Sequence, residues 1–155
     1  KALHGGAVVL VFPGGDYDSF RPTFTQNVVD FNGRTGYVRS AIEAGVPIVP
    51  AVSIGAQETQ LFLTRGAWLA KRLGLKRIRL EIVPFTLGLP FGLTSTIPPN
   101  LPLPSKIVTE VLEPIDITAR FGEHPDVDEV DAYVRSVMQA ALDRLARQRR
   151  FPVLG

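Results

Sequence analysis

A chain of 155 residues has the length of one domain, 1–155, or most of one, and can bury a real core. An apolar content of 45% excludes disorder, and a net charge of only +2 gives nucleic-acid binding no electrostatic basis across the chain. The absence of cysteine excludes disulfides, a thiolate metal site and a cysteine nucleophile, and no apolar stretch reaches the roughly 20 residues that a bilayer-spanning helix needs.

In chain order, Ala7-Val8-Val9-Leu10-Val11 is short, apolar and β-branched, the pattern of a buried strand. It is left through Phe12-Pro13-Gly14-Gly15. The loop from Asp16 to Asn32 is polar and aromatic together, with Tyr17, Phe20, Phe24 and Phe31 beside Asp18, Arg21 and Asp30. Thr35 is placed to cap a helix from Gly36 to Ala44, which Gly45 ends and which carries an apolar stripe of Val38, Ala41 and Ile42. Gly45 to Val52 reads as a second buried strand. Two such strands joined by a helix predict a βαβ unit with parallel pairing and a right-handed crossover.

Gln57 to Leu75 reads as helical and leads into a basic run: Lys71, Arg72, Lys76, Arg77 and Arg79, with Arg65 earlier in the segment. Ile82 to Leu93 is strongly apolar but too rich in Pro and Gly for a stable helix. It fits either a surface resting on a membrane or a buried strand and loop beside an ordinary cationic surface; it lacks the moment of an interfacial helix. Lys106 to Leu112 reads as a strand. Asp126 to Arg149 has apolar residues at helical spacing, from Val127 and Val130 to Leu142 and Leu145, and predicts an amphipathic helix packed on the core.

The chemistry concentrates around the P-G-G turn. Ligands of open α/β sheets bind beyond the carboxyl ends of the strands, and two glycines leave backbone N–H groups bare for an anion or oxyanion. A tight strand-to-loop turn would use the same residues. Asp18 can brace the loop or orient a substrate hydroxyl. Arg34 and Arg39 flank a helix start. They read as a solvated pair, or Arg34 turns inward to meet Asp18 or an anionic group. Arg21 lies in the same loop. His4 reads as structural or exposed and His124 as a linker residue; Glu123, His124, Asp126 and Asp128 have no metal-ligand spacing, so no metal is expected. A nucleophile elbow and a nucleotide fingerprint are both absent.

Four blocks in this order resemble the glycerolipid acyltransferase superfamily, which includes lysophospholipid, monoacylglycerol and diacylglycerol acyltransferases. Phe12-Pro13-Gly14-Gly15-Asp16-Tyr17-Asp18 is similar to the F/Y-P-G-G-x-x-E motif of the diacylglycerol acyltransferase-like branch, with Asp18 at the Glu position. Arg34-Thr35-Gly36-Tyr37-Val38-Arg39-Ser40-Ala41 resembles R-x-G-F-x-R-x-A, and Val46 to Pro50 resembles V-P-I-x-P. Leu101 to Ile107 and Glu113-Pro114-Ile115 resemble a late proline-rich strand and a G-x-P-I element.

The resemblance implies an α/β fold with a mostly parallel central sheet flanked by helices. It implies transfer of an acyl group from acyl-CoA or acyl-carrier protein to a glycerolipid hydroxyl in lipid metabolism, including phospholipid biosynthesis. Acyl-CoA would be a co-substrate, with no further cofactor, and the protein would lie peripherally on the cytoplasmic face of a membrane. Phe12, Pro13, Gly14, Gly15, Asp18, Arg34 and Arg39 would form the acceptor side. Tyr17 stands where an arginine holds the phosphate of phosphorylated acceptors, which points to a neutral acceptor.

The family's H-x-x-x-x-D motif, whose histidine is the general base, is missing: five residues after His4 is Val9, and five after His124 is Glu129. The chain is therefore expected to be the C-terminal portion of a larger acyltransferase domain, partnered by an N-terminal segment and inactive alone, with no catalytic residue of its own. The rival readings are a non-catalytic lipid- or acyl-binding domain of the same fold, and an unrelated α/β domain that binds a small anion at the turn.

Overall fold

The computed structural model describes residues 2–19, 21–25, 27–74, 83–95 and 100–149. The longest element is α5, Val127–Gln148. Asp126 starts it, its carboxylate accepting from the N–H groups of Asp128 and Glu129 at 2.9 Å each. The predicted apolar stripe is the buried one. Val130 and Val134 pack with Val38, Ala41, Ile115 and Ile117. Two turns on, Ala141, Leu142 and Leu145 pack with Val52 and Ile54. One helix face thus carries both cores.

Helix α2, Gly36–Ala44, supplies Val38 and Ala41 to the first core. Gly45 ends it as expected, its N–H meeting the carbonyls of Ala41 and Ile42. Thr35 stands at the cap position, but its side chain makes no capping bond; its carbonyl instead accepts from Val38 and Arg39. Tyr37 on this helix donates to the buried carboxylate of Asp131 on α5 at 2.8 Å. Burial, reinforced by that carboxylate, pushes the phenol far above its ordinary pKa, so it stays a donor.

The chain is mixed α/β, but both described sheets are antiparallel. Strand β1, Ala51–Ile54, pairs with β5, Val108–Val111, in the register Ala51↔Val111 to Ile54↔Val108. The second sheet runs β2, Leu61–Thr64, then β3, Phe85–Gly88, then β4, Gly92–Ser95. The expected parallel βαβ unit is not formed among the described residues. Residues 7–11 make no strand; Val8 is 100% exposed, and among the described residues no strand pairs with them. The second expected strand begins late because Pro47 and Pro50 cannot donate to a ladder. Before Ala51 there is only the antiparallel bridge Ile48↔Ile115.

The helix expected over Gln57 to Leu75 is also corrected. It divides into the 3-10 turn Ala56–Glu58, strand β2 and the short helix α3, Ala67–Arg72. Phe62 and Thr64 favour a pleated surface, and the Gly66 turn separates them from the helix. The basic residues Lys76, Arg77 and Arg79, with Ile82, lie outside the described residues. Two short helices, α1 at Gly15–Ser19 and α4 at Ile117–Phe121, complete the order.

Just past α5, Arg149 returns to the body of the fold. Its guanidinium meets Glu58 in a two-pronged pair, with 2.8 Å from Nη1 to Oε1 and 2.5 Å from Nη2 to Oε2, and Nη2 also donates to the Lys106 carbonyl. The side chains are 8% and 3% exposed. Removing one partner of such a pair costs about 3–5 kcal/mol, whereas replacing both by apolar groups is often neutral. Glu58→Ala should therefore lower the unfolding free energy by about that amount, and Glu58→Leu with Arg149→Met should restore most of it. Denaturant unfolding reads both. Equal losses in the single and double variants would show that the pair is not the cause.

Candidate functional site

The P-G-G residues form a tight turn into α1: the Gly15 N–H donates to the Phe12 carbonyl at 3.1 Å. That N–H is committed to the turn, so the two glycines do not form a pair of bare donors. Their missing side chains serve close approach instead. A Cβ on Gly14 would lie 2.4 Å from Asp18 Cβ. Gly15 has φ +51°, and a Cβ there would lie 2.7 Å from Arg34 Nη1.

Three guanidinium groups hold this turn. Arg34 turns towards the loop and donates from Nη1 to the Gly14 carbonyl at 2.9 Å, a partner other than the Asp18 carboxylate or anionic group considered for it. The same carbonyl accepts from the Asp18 N–H at 3.3 Å. Arg21, 3% exposed, pairs from Nη2 with Asp18 Oδ1 at 2.7 Å and reaches the Asp30 carbonyl at 3.4 Å. Among the described residues its Nε has no hydrogen-bond partner. Arg65 donates from Nε to the Tyr17 carbonyl at 3.0 Å and lies 3.9 Å over the Tyr17 ring.

Asp18 is thus engaged in bracing the loop. Phe12 is exposed, Pro13 is partly covered and Gly14 is buried. Arg39 is exposed on α2, and no described hydrogen bond or ion pair joins its side chain to the turn. The structure brings Asp18, Gly14, Gly15 and Arg34 together and leaves Arg39 apart.

Sequence reasoning gave Arg21 less weight and did not connect Arg65 to the turn at all. Arg21 carried a local signal, since it stands three residues after Asp18. Arg65 is 48 residues from Tyr17, and its contact depends on where β2 ends.

His4 lies in the 3-10 turn Leu3–Gly5 and His124 in the turn before α5; both are exposed. Among the described residues no group of His, Asp and Glu could hold a metal ion. An open groove of about 1220 Å³ lies elsewhere, between β5, residues 113–116 and α5, and none of the turn residues lines it. Arg120 stacks over Tyr133 at 3.8 Å and Arg144 pairs with Glu110 along its wall.

The glycines give a test of the turn. Gly15→Ala adds a left-handed backbone strain of about 1–3 kcal/mol to a clash with Arg34. We expect it to lower the melting temperature, and Gly15→Ala with Arg34→Ala to recover only the steric share. A Gly15→Ala protein that melts like the parent would contradict the geometry.

The family model described as "Diacylglycerol acyltransferase" matches residues 1–151. An uncharacterised protein of Mycobacterium tuberculosis (strain ATCC 25618 / H37Rv) is 33% identical over 155 residues, covering 97% of this chain and 41% of the relative. A Bos taurus protein named "DGAT1/2-independent enzyme synthesizing storage lipids" is 24% identical over 150 residues, covering 97% of this chain and 43% of its own. "Diacylglycerol O-acyltransferase 2-like protein 6" of Mus musculus is 28% identical over 144 residues, covering 87% and 41%. No solved structure matches the chain. The chain spans about two fifths of the length of these relatives. Matched by one family's model over nearly its whole length, the chain belongs to the diacylglycerol acyltransferase family.

Proposed function

We propose that the complete protein transfers an acyl group from acyl-CoA or acyl-carrier protein to a glycerolipid hydroxyl, and that this chain supplies the acceptor side. The family membership carries the reading. The braced turn supports it locally, because a positioning element must hold its shape while the substrate reacts.

The acceptor oxygen attacks the thioester carbonyl carbon and gives its proton to a base. The carbon–sulfur bond then breaks, and the thiolate leaves and takes up a proton. The base is the histidine of the H-x-x-x-x-D element, which the family resemblance puts upstream of the P-G-G turn. Arg34 is the positioning residue, fixing the Gly14 carbonyl and with it the path of the turn. The work is peripheral, at the cytoplasmic face of a membrane; among the described residues no helix is long and apolar enough to cross one.

Tyr17 in the arginine position supports a neutral acceptor such as a mono- or diacylglycerol. The Arg65 guanidinium over its ring favours the rival, a phosphorylated acceptor, by setting a cation beside the same loop. A full-length preparation given labelled acyl-CoA with diacylglycerol, monoacylglycerol or lysophosphatidate decides between them. We expect labelled neutral lipid. Arg34→Ala should lower kcat by about tenfold or more, the value of a charge-assisted bond lost in the reacting complex. Label in phosphatidate alone would reverse the acceptor assignment. Binding of acyl-CoA or lipid without any transfer would leave a non-catalytic binding domain.

A further inference from the structure

The sheet β2–β3–β4 has its polarity reversed. Apart from Phe62, its inner face is polar. Thr86, 8% exposed, shares a 2.8 Å hydroxyl–hydroxyl bond with Thr94. Asn100, 4% exposed, donates from Nδ2 to Thr94 Oγ1 and to the Gly92 carbonyl at 3.1 and 3.0 Å, and its Oδ1 accepts from the Phe91 N–H at 3.2 Å. These groups are buried and paired, so the network is stable where it stands. On the outer face one row is apolar, and the next, Thr64, Phe85 and Ser95, is mixed. The register sets Leu61, Leu87 and Leu93 in one row across the strands, with Leu87 43% and Leu93 62% exposed, and the turn between β3 and β4 adds exposed Leu89 and Phe91. A sheet with one wet face buries its leucines and shows its threonines. This one does the opposite, which marks a face that meets an apolar phase.

Charge identifies that phase. The described strands β2, β3 and β4 with helix α3 contain no Asp or Glu, and their cations are Lys71 and Arg72. On α3, Trp68, Lys71 and Arg72 share one exposed face at spacings of three and four, while Ala70 is fully buried behind them. The helix starts at the edge of the leucine face. A Cβ on Gly66 would touch the Phe85 ring at 3.2 Å, and Phe85 alternates onto the side of Leu87. An exposed tryptophan and two cations beside a row of leucines complement an apolar interior under anionic headgroups.

We propose that the outer face of β2–β3–β4, together with α3, docks on a bilayer that carries anionic headgroups. Leu87, Leu93 and Phe91 enter the acyl boundary, Trp68 lies at its edge, and Lys71 and Arg72 meet headgroup phosphates. This rests on the reading of the complete protein as an enzyme of lipid, and it names the surface that would bring the chain there.

The test is cosedimentation of the full-length protein with phosphatidylcholine vesicles, with and without phosphatidylglycerol. Leu87→Gln with Leu93→Gln should lower partition by about tenfold or more on both. Lys71→Gln with Arg72→Gln should lower it by about tenfold on the anionic vesicles alone. Both variants should melt like the parent, since all four side chains are exposed. Unchanged vesicle binding would overturn the proposal. So would a leucine variant that melts several degrees lower or turns a dimer into a monomer, because either shows that protein covers the face. Acyl transfer measured in detergent micelles is read separately. Loss of vesicle binding with micellar transfer intact supports the docking face; absence of micellar transfer in the parent removes the catalytic reading and leaves the docking result standing.

Discussion

The fold depends on one packing interaction, the burial of a single face of α5. Its first half closes over α2 and the Ile115–Ile117 turn, and its second half over β1. The helix also reaches the loop that follows the P-G-G turn. Gln139 accepts from the Val29 N–H at 2.8 Å and donates to the Asn27 carbonyl at 3.1 Å. Just past the helix end, Arg149 binds Glu58 beside β2. A 22-residue amphipathic helix therefore orders segments that are remote in sequence, and it does so mainly through area removed from water. Two cores on one rigid helix cannot shift independently, so the loop at Gln139 is held with them.

Within that frame the P-G-G turn is stabilised by cations on carbonyls. Helix α1 is five residues long, too short to persist on its own hydrogen bonds. Arg34 and Arg65 each take one backbone oxygen of the segment, at Gly14 and Tyr17, and Arg21 takes the Asp18 carboxylate. Guanidinium groups suit this role because their donors lie in a fixed plane and need little reorganisation to bind. The absence of a side chain at Gly14 and Gly15 is what lets Asp18 and Arg34 come so close. The turn is thus defined by contacts that a methyl group at Gly14 or Gly15 would displace.

How much of this was legible follows from the range of each signal. Helices α2 and α5, with the Gly45 stop, were readable because a terminal glycine and 3.6-residue periodicity are local, whereas the cap expected of the Thr35 side chain is not made. Strand β5 was readable too. The parallel sheet was not, because an apolar β-branched run specifies only that burial or pairing would be favourable, not which strand provides it. Ala7 to Val11 carries that signal but pairs with no strand among the described residues, and Pro47 and Pro50 moved the next strand to Ala51. Gln57 to Leu75 misled because apolar residues at Leu61, Phe62 and Leu63 fit a short strand as well as a helix. At the turn, the glycines, Asp18 and Arg34 were visible as a motif. Arg65 was not, since a contact across 48 residues exists only once β2 has fixed where that side chain starts.

Strand β2 also joins the turn to the leucine-faced sheet. Thr23, in the loop after α1, donates from Oγ1 to the Gln60 carbonyl and accepts from the Phe62 N–H at 3.0 Å, so the loop is bonded along the strand. Immediately past the other end of β2, Arg65 grips Tyr17, and the next residue begins the turn into α3 with Trp68 and Lys71. The P-G-G turn and the exposed apolar face are therefore attached at both ends of the same four-residue strand. Leu61 of that strand stands in the row of Leu87 and Leu93, so whatever meets this row is linked through β2, with its register shift between Phe62 and Thr64, to the loop that follows Gly14 and Gly15.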